Sequence, residues 1–390
     1  MGCLTRLLNP EETGEEAHHL EIDLRQRIVG QDEAIQEVVQ IYQTNLAGMS
    51  SPGRPIAALL FLGPTGSGKT RLVEAVAESL TGTTRAIIKV DCGEFQHSHE
   101  IAKLVGSPPG YLGHRETHAL LTQEALGQYH TERFTISFVL FDEIEKASDA
   151  LWHLLLGILD RATLTLGDNR RVDFSQTLIF MTSNLGAAEM SALVQPGMGF
   201  QACIGDRHRV TGVAAPGLTK KITSAAVEAA RRKFTPEFMN RIDKTVVFRP
   251  LSEADLRGIL TIELNAVQER IFNSANVSPF AISLTDTAHQ YLLREGTDLK
   301  YGARHLKRAI DRLLVHPLSS LIATGQISGG DVIRIDFDGT PGRLMFFKDG
   351  SRATGEPTAR IANSSSTNTP PRIETVHETL AWLRARSTRR

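Results

Sequence analysis

Eight residues, Gly63-Pro64-Thr65-Gly66-Ser67-Gly68-Lys69-Thr70, constrain this chain more than any other stretch. They follow directly on an apolar run, residues 56–62, and lead into Leu72, Val73, Val76, Ala77 and Leu80, which recur at helical spacing. The pattern G-x-x-x-x-G-K-[ST], set between a strand and a helix, is a phosphate cradle. Its glycines let backbone N–H groups turn inward, and the helix N-terminus adds partial positive charge. Lys69 is placed to reach the β- and γ-phosphates of a nucleoside triphosphate. The Thr70 hydroxyl is placed to ligate Mg²⁺.

A strand feeding such a loop needs neighbours, and the chain supplies them. Short apolar runs at 86–90, 136–141, 178–182 and 245–248 alternate with helical patterns. Strands alternating with helices predict an α/β domain, a parallel sheet with helices on both faces. Continuous rather than alternating hydrophobicity fits strands buried on both sides. Upstream, Ala34, Ile35, Val38, Val39, Ile41, Tyr42 and Leu46 predict a helix, broken by Ser50-Ser51-Pro52-Gly53-Arg54-Pro55. Residues 1–25 are acidic and weakly patterned and read as an extension, so the large domain is expected at 26–249.

After Arg249-Pro250 the character changes. Ser252 can cap a helix carrying Leu256, Ile259, Leu260, Leu264, Val267 and Ile271. Two further helices are expected near 287–293 and 303–321, then a short β element near 332–337 and 344–347. These define a smaller, mainly helical domain at 250–348. Residues 349–390 read as a Ser-, Thr-, Pro- and Gly-rich linker and a tail. Ile373, Val376, Leu380 and Leu383 give that tail a helical stripe, expected to be marginal without a partner.

The second half of the phosphate site is a buried strand that ends in two acids, Asp142 and Glu143. Asp142 would help hold Mg²⁺, and Glu143 would take a proton from the attacking water. The same pair without a phosphate loop would read as a helix-capping acidic turn. The run 178–182 ends in Ser183-Asn184, whose amide can contact a γ-phosphate; in isolation Asn184 reads as a turn residue.

Composition excludes some classes. A length of 390 residues exceeds what one core usually organises. The 43 basic and 44 acidic side chains leave a net charge of −1. Apart from pairs such as Arg231-Arg232 and Arg389-Arg390 there is no basic patch, which disfavours nucleic acid as the main partner. Cys3, Cys92 and Cys203 have no metal-ligand spacing and suit a reducing compartment. No run is apolar enough to span a bilayer, and residues 1–6 lack a signal-peptide core, so no membrane association is expected and the location expected is cytoplasmic.

Strand, phosphate loop, acid pair and terminal Asn, in this order, resemble the AAA+ ATPases. More narrowly, residues 20–340 resemble the second ATPase module of the Clp unfoldases of the ClpA, ClpB and ClpC types. The segments that carry the likeness run in order. They are Arg27-Ile28-Val29-Gly30-Gln31-Asp32-Glu33-Ala34, Gly110-Tyr111-Leu112-Gly113 and Phe141-Asp142-Glu143-Ile144-Glu145-Lys146-Ala147. Met181-Thr182-Ser183-Asn184-Leu185-Gly186, Pro236-Glu237-Phe238-Met239-Asn240-Arg241-Ile242-Asp243 and Gly302-Ala303-Arg304 follow.

The resemblance implies ATP and Mg²⁺ as cofactors, a P-loop large domain and a small lid domain. It implies that Ile28 and Val29 line the adenine pocket and that Asn184 is sensor 1. Arg241 would be an arginine finger reaching the neighbouring subunit's γ-phosphate, and Arg304 would be sensor 2. A head-to-tail contact that lends one arginine per site closes naturally into a ring, and the family implies six subunits.

Tyr111, with Leu112 where the family more often has Val, resembles the pore loop that grips an extended polypeptide. On its residues alone it is a proline-glycine turn. Gly167-Asp168-Asn169-Arg170-Arg171 lies where a second pore-facing loop is expected. Met198-Gly199-Phe200 resembles the tripeptide that docks a ClpP-like peptidase, against the plainer reading of an apolar loop contact. The chain is too short to hold also a first ATPase module, a recruiting N-terminal domain and a coiled coil. The expectation is therefore a single-ring, Mg²⁺-ATP-driven unfoldase acting on unfolded polypeptide, with substrate choice left to the termini or an adaptor. The competing readings are an ATP-switched scaffold that translocates nothing and a nucleic-acid-remodelling motor.

Overall fold

The computed structural model describes residues 9, 12–107, 119–194, 216–274, 278–297 and 302–349. Tyr111, Leu112, Met198, Gly199, Phe200 and the tail stripe lie outside them. The chain divides into two compact units after Pro250.

The first unit is organised by five parallel strands in the order β2-β3-β6-β1-β7. They are β1 (Ala57–Leu62), β2 (Ile87–Asp91), β3 (Ser137–Asp142), β6 (Thr177–Ser183) and β7 (Lys244–Val247). Two three-residue strands, β4 (Thr163–Thr165) and β5 (Arg171–Asp173), form a separate antiparallel hairpin.

Successive strand residues point to opposite sheet faces, so the central apolar runs feed two cores at once. Ala57, Leu59 and Phe61 of β1, with Phe138, Leu140, Leu178 and Phe180, join one core. Helices α1 (Glu15–Arg27), α2 (Asp32–Leu46) and α3 (Lys69–Thr81) cover it. Ala58, Leu60 and Leu62, with Val139, Phe141, Ile179 and Met181, join the other, under the helices Asp149–Arg161 and Pro216–Lys233. Phe61 is fully buried between Phe180 and Phe248, with ring centroids 5.6 and 5.0 Å away. Burying one such ring stabilises by roughly 1.5–3 kcal/mol.

One sequence reading is corrected here. Residues 15–25 are not an extension but most of α1, whose Ala17, Leu20 and Leu24 are buried in the same core as α2 and α3. Arg27 reaches across to Glu78 of α3 at 2.7 Å. The apolar stripe is only three residues deep among Glu and His, too thin to stand out by periodicity.

The second unit opens with the helix Glu253–Asn273, capped by Ser252 and Asp255 in a reciprocal capping box. The helix Asp286–Gly296 is capped by Thr285. The stretch expected as one helix near 303–321 is Ala303–Ile310 and His316–Ala323 joined by a π-helical turn, Asp311–Val315. Pro317 explains the widened turn: its ring has no N–H and would crowd the carbonyl four residues back. The β element has three strands, since β8 (Ala281–Leu284) pairs parallel with β9 (Val332–Asp336) and β9 pairs antiparallel with β10 (Met345–Asp349). Buried Gln268 stitches helix to sheet, donating to Phe280 O at 2.9 Å and accepting from Ile282 N at 2.8 Å. No helix among the described residues is long and apolar enough to cross a membrane.

Candidate nucleotide site

Parallel strands deliver their C-terminal ends to one edge, which is where an open α/β sheet places its ligands. Gly63 follows β1, Asp142 ends β3, and Asn184 follows β6. The loop between β1 and α3 passes close to the strand end beside it. Gly63 has φ +152°, and a Cβ there would lie 2.6 Å from Phe248 O and 2.8 Å from Phe248 Cβ. Gly63→Ala is therefore expected to lower stability by about 2–4 kcal/mol, combining overpacking with backbone strain. At Gly82, where φ is +75° but a Cβ meets nothing within 4 Å, Ala should cost only about 1–2 kcal/mol. Denaturant unfolding of the two variants checks this; equal losses would contradict it.

Lys69 is 7% exposed, and its ammonium is held at the loop mouth. It donates to Gly63 O at 2.7 Å, Pro64 O at 3.0 Å and Asn184 Oδ1 at 2.9 Å. Thr65 Oγ1 also donates to Asn184 Oδ1, at 3.3 Å. The Asn184 amide then donates to Glu143 Oε1 at 3.2 Å. One chain of polar contacts thus runs from the loop lysine through Asn184 to the acid.

Asp142 sits at the junction. Thr70 Oγ1 lies 3.4 Å from its Oδ1, which also accepts a short hydrogen bond from the Thr182 hydroxyl. Lys89 Nζ stands 3.4 Å from Oδ2. A hydroxyl and a carboxylate oxygen side by side suit Mg²⁺, a hard cation that keeps waters and binds through few protein oxygens plus phosphates. Among the described residues no cluster of three or more His, Cys, Asp or Glu offers an all-protein cage instead.

Glu143 occupies left-handed backbone space at φ +57°, and its N–H donates to Thr182 Oγ1 at 3.1 Å. Its carboxylate is ion-paired with Lys146, and that hydrogen bond raises the lysine's pKa. Glu145 accepts from Asn184 N at 3.1 Å, fixing the start of the loop after β6.

Sequence reasoning gave no role to Thr182, Lys89, Glu145 or Lys146. Register could have found Thr182: Phe141 aligns with Met181, so the next residue on each strand, Asp142 and Thr182, stand side by side.

The other candidates fall elsewhere. Ile28 is buried in the core shared with Leu72, Val73 and Phe248, and Val29 is half-buried beside it. Arg241 follows the short helix Pro236–Met239, capped by Thr235 and anchored by Phe238 against Trp152 and Phe234. Its guanidinium binds Asp160 Oδ1 at 2.5 Å and Glu237 Oε1 at 3.1 Å. The hydrogen bond from Arg241 holds the Asp160 carboxyl below its ordinary range. Arg304 is exposed in the first turn of the helix Ala303–Ile310, in the second unit. The turn Gly167–Arg170 joins β4 to β5, and Gly167 N donates to Val105 O at 2.8 Å.

Comparison with known proteins finds relatives across both units. The AAA domain family (Cdc48 subfamily) matches residues 54–245, and the C-terminal, D2-small domain of ClpB protein matches residues 251–335. The chain belongs to the Clp family of AAA ATPases. The chaperone protein ClpB of Bdellovibrio bacteriovorus is 36% identical over 330 residues, 85% of this chain and 35% of that one. ClpB of Meiothermus ruber is 39% identical over 311 residues, 80% of this chain and 33% of its own. The ATP-dependent Clp protease ATP-binding subunit ClpC of Staphylococcus saprophyticus is 38% identical over 334 residues, 86% and 37% of the two chains. A cryo-EM reconstruction of Hsp104 in its closed state, with ATPγS and FITC casein, aligns with a TM-score of 0.68 at 30% identity, over 86% of this chain and 52% of that one. The chain spans about a third of the length of these curated relatives. It carries the ATPase module that they share.

Proposed function

We propose that this chain is an ATP-driven protein unfoldase or remodelling chaperone that works as a ring of six subunits and draws polypeptide past Tyr111. The observation that carries its ATP-driven part is the polar chain from Lys69 through Asn184 to Glu143, with Thr70 and Asp142 beside it. The ring, the unfolding and Tyr111 rest on the likeness to ClpB, ClpC and Hsp104. Lys69 and the loop amides bind the phosphates. Thr70 and Asp142 would hold Mg²⁺, which would supply charge neutralisation at the phosphates. Glu143 accepts the proton of the attacking water, and Asn184 orients both water and γ-phosphate. Arg241 serves the site of the adjacent subunit, and Arg304 reports nucleotide state from the second unit. Ile28 and Val29 line the adenine.

A polypeptide motor differs from an ATP-switched scaffold in what its turnover responds to. Steady-state ATPase should rise severalfold with unfolded casein, and Tyr111→Ala should remove that rise while keeping basal turnover. An ATPase indifferent to polypeptide in both proteins would overturn translocation in favour of the scaffold. Stimulation by DNA, steeply dependent on salt, would instead favour a nucleic-acid motor.

A further inference from the structure

The phosphate loop is held from outside by a side chain with no place in the chemistry above. Gln31 precedes α2 and is 4% exposed. Its Nε2 donates to Ser67 O at 3.1 Å and to Arg249 O at 3.0 Å. Its Oε1 accepts from Arg249 N at 3.1 Å. Both amide protons and the carbonyl are thus spent on main chain, in two segments that meet nowhere else through this side chain. Leu or Met could fill this space but would leave Ser67 O and both main-chain groups of Arg249 without this partner. An amide here sets the orientation of peptides.

The peptide it sets matters. A peptide unit is planar and trans, so its C=O and the following N–H point opposite ways. Tying Ser67 O to Gln31 directs the Gly68 N–H away from Gln31. Gly68, at φ +101°, has the backbone freedom to be rotated otherwise. The same amide grips Arg249, the residue before Pro250, where the first unit ends.

We propose that Gln31 is a positioning residue for the nucleotide: it fixes the Ser67–Gly68 peptide for phosphate and ties that setting to the backbone of Arg249. This rests on the reading of the loop as the ATP site. The test uses Gln31→Met, which keeps length but no hydrogen bond, and Gln31→Glu, which still accepts from Arg249 N–H but cannot donate to Ser67. Both are made in the full chain and titrated with fluorescent ADP well below their melting temperatures. Both should bind ADP about tenfold more weakly and raise the KM for ATP alike, with kcat within about threefold of wild type. Wild-type affinity in both variants, with only the melting temperature lowered, would make Gln31 a packing residue. Affinity restored in Gln31→Glu alone would place the effect on Arg249 and overturn the Ser67 assignment.

A measurement on the unaltered protein guards against variants that fail to fold. ADP should slow hydrogen exchange at the Arg249 amide, and unchanged exchange there would sink the tie. Failure of wild type to bind ADP at all would sink the reading of the site itself, an outcome distinct from the others.

Discussion

Glu143→Gln is expected to lower ATP turnover by about 100-fold or more while nucleotide affinity stays within a few fold of wild type. The magnitude is that of removing a general base from a phosphoryl-transfer site. The substitution is nearly isosteric. A glutamine Oε1 can still accept from the Asn184 amide, which now donates to Glu143 at 3.2 Å. The Lys146 ion pair is lost, but both partners are at least 30% exposed and such pairs contribute about 0–1 kcal/mol. Folding should therefore be preserved, and the deficit should lie in the chemical step. Isothermal titration with ADP and a steady-state phosphate-release assay separate the two. Turnover at wild-type rate would remove Glu143 from the role of base.

Arg241→Ala is expected to cost on the order of 1,000-fold in turnover of the assembled protein, again without loss of nucleotide binding. In this chain the guanidinium is occupied in cis by Asp160 and Glu237. Serving a neighbour's phosphate requires it to leave at least one of these carboxylates for a stronger anion. Mixing distinguishes a trans role from a local one. Arg241→Ala and Glu143→Gln subunits, each inactive alone, should regain activity when mixed, because an Arg241→Ala subunit with its own Glu143 then receives Arg241 from a Glu143→Gln neighbour. No recovery in the mixed assembly would mean that Arg241 acts only on its own subunit. The pair with Asp160 adds a sign that can be checked. Its carboxyl is held below the ordinary range by the Arg241 hydrogen bond, so the pair contributes above the unfolded carboxylate pKa and is lost as pH falls through the folded value. Removing Arg241 should return the Asp160 titration upward, measurable by NMR.

Much of the first unit was legible because doubly buried strands write themselves as unbroken apolar runs. β1, β3 and β6 fall within a residue of the expected bounds at 56–62, 136–141 and 178–182. β4 and β5 were not legible, since three residues alternating exposed, buried and exposed carry too little pattern. β8, four residues long behind Ser278 and Pro279, escaped for the same reason. The site divides along a similar line. Residues tied by local spacing, from Gly63 to Thr70 and at Asp142 and Glu143, stand in the sequence as a motif. Thr182 beside Asp142, Asp160 beneath Arg241 and Gln31 across 218 residues from Arg249 depend on strand register and chain return. No one-dimensional period encodes those meetings.

The strand order has a consequence for the chain as it is made. β1 is synthesised first among the five, yet its two neighbours are β6 and β7, which begin at Thr177 and Lys244. More than a hundred residues must emerge before Ala57–Leu62 meets either partner. Until then an apolar, edge-competent segment waits unpaired, the kind most prone to sticking to another copy. A protein whose relatives are chaperones thus passes through a stage at which its own first strand needs shelter.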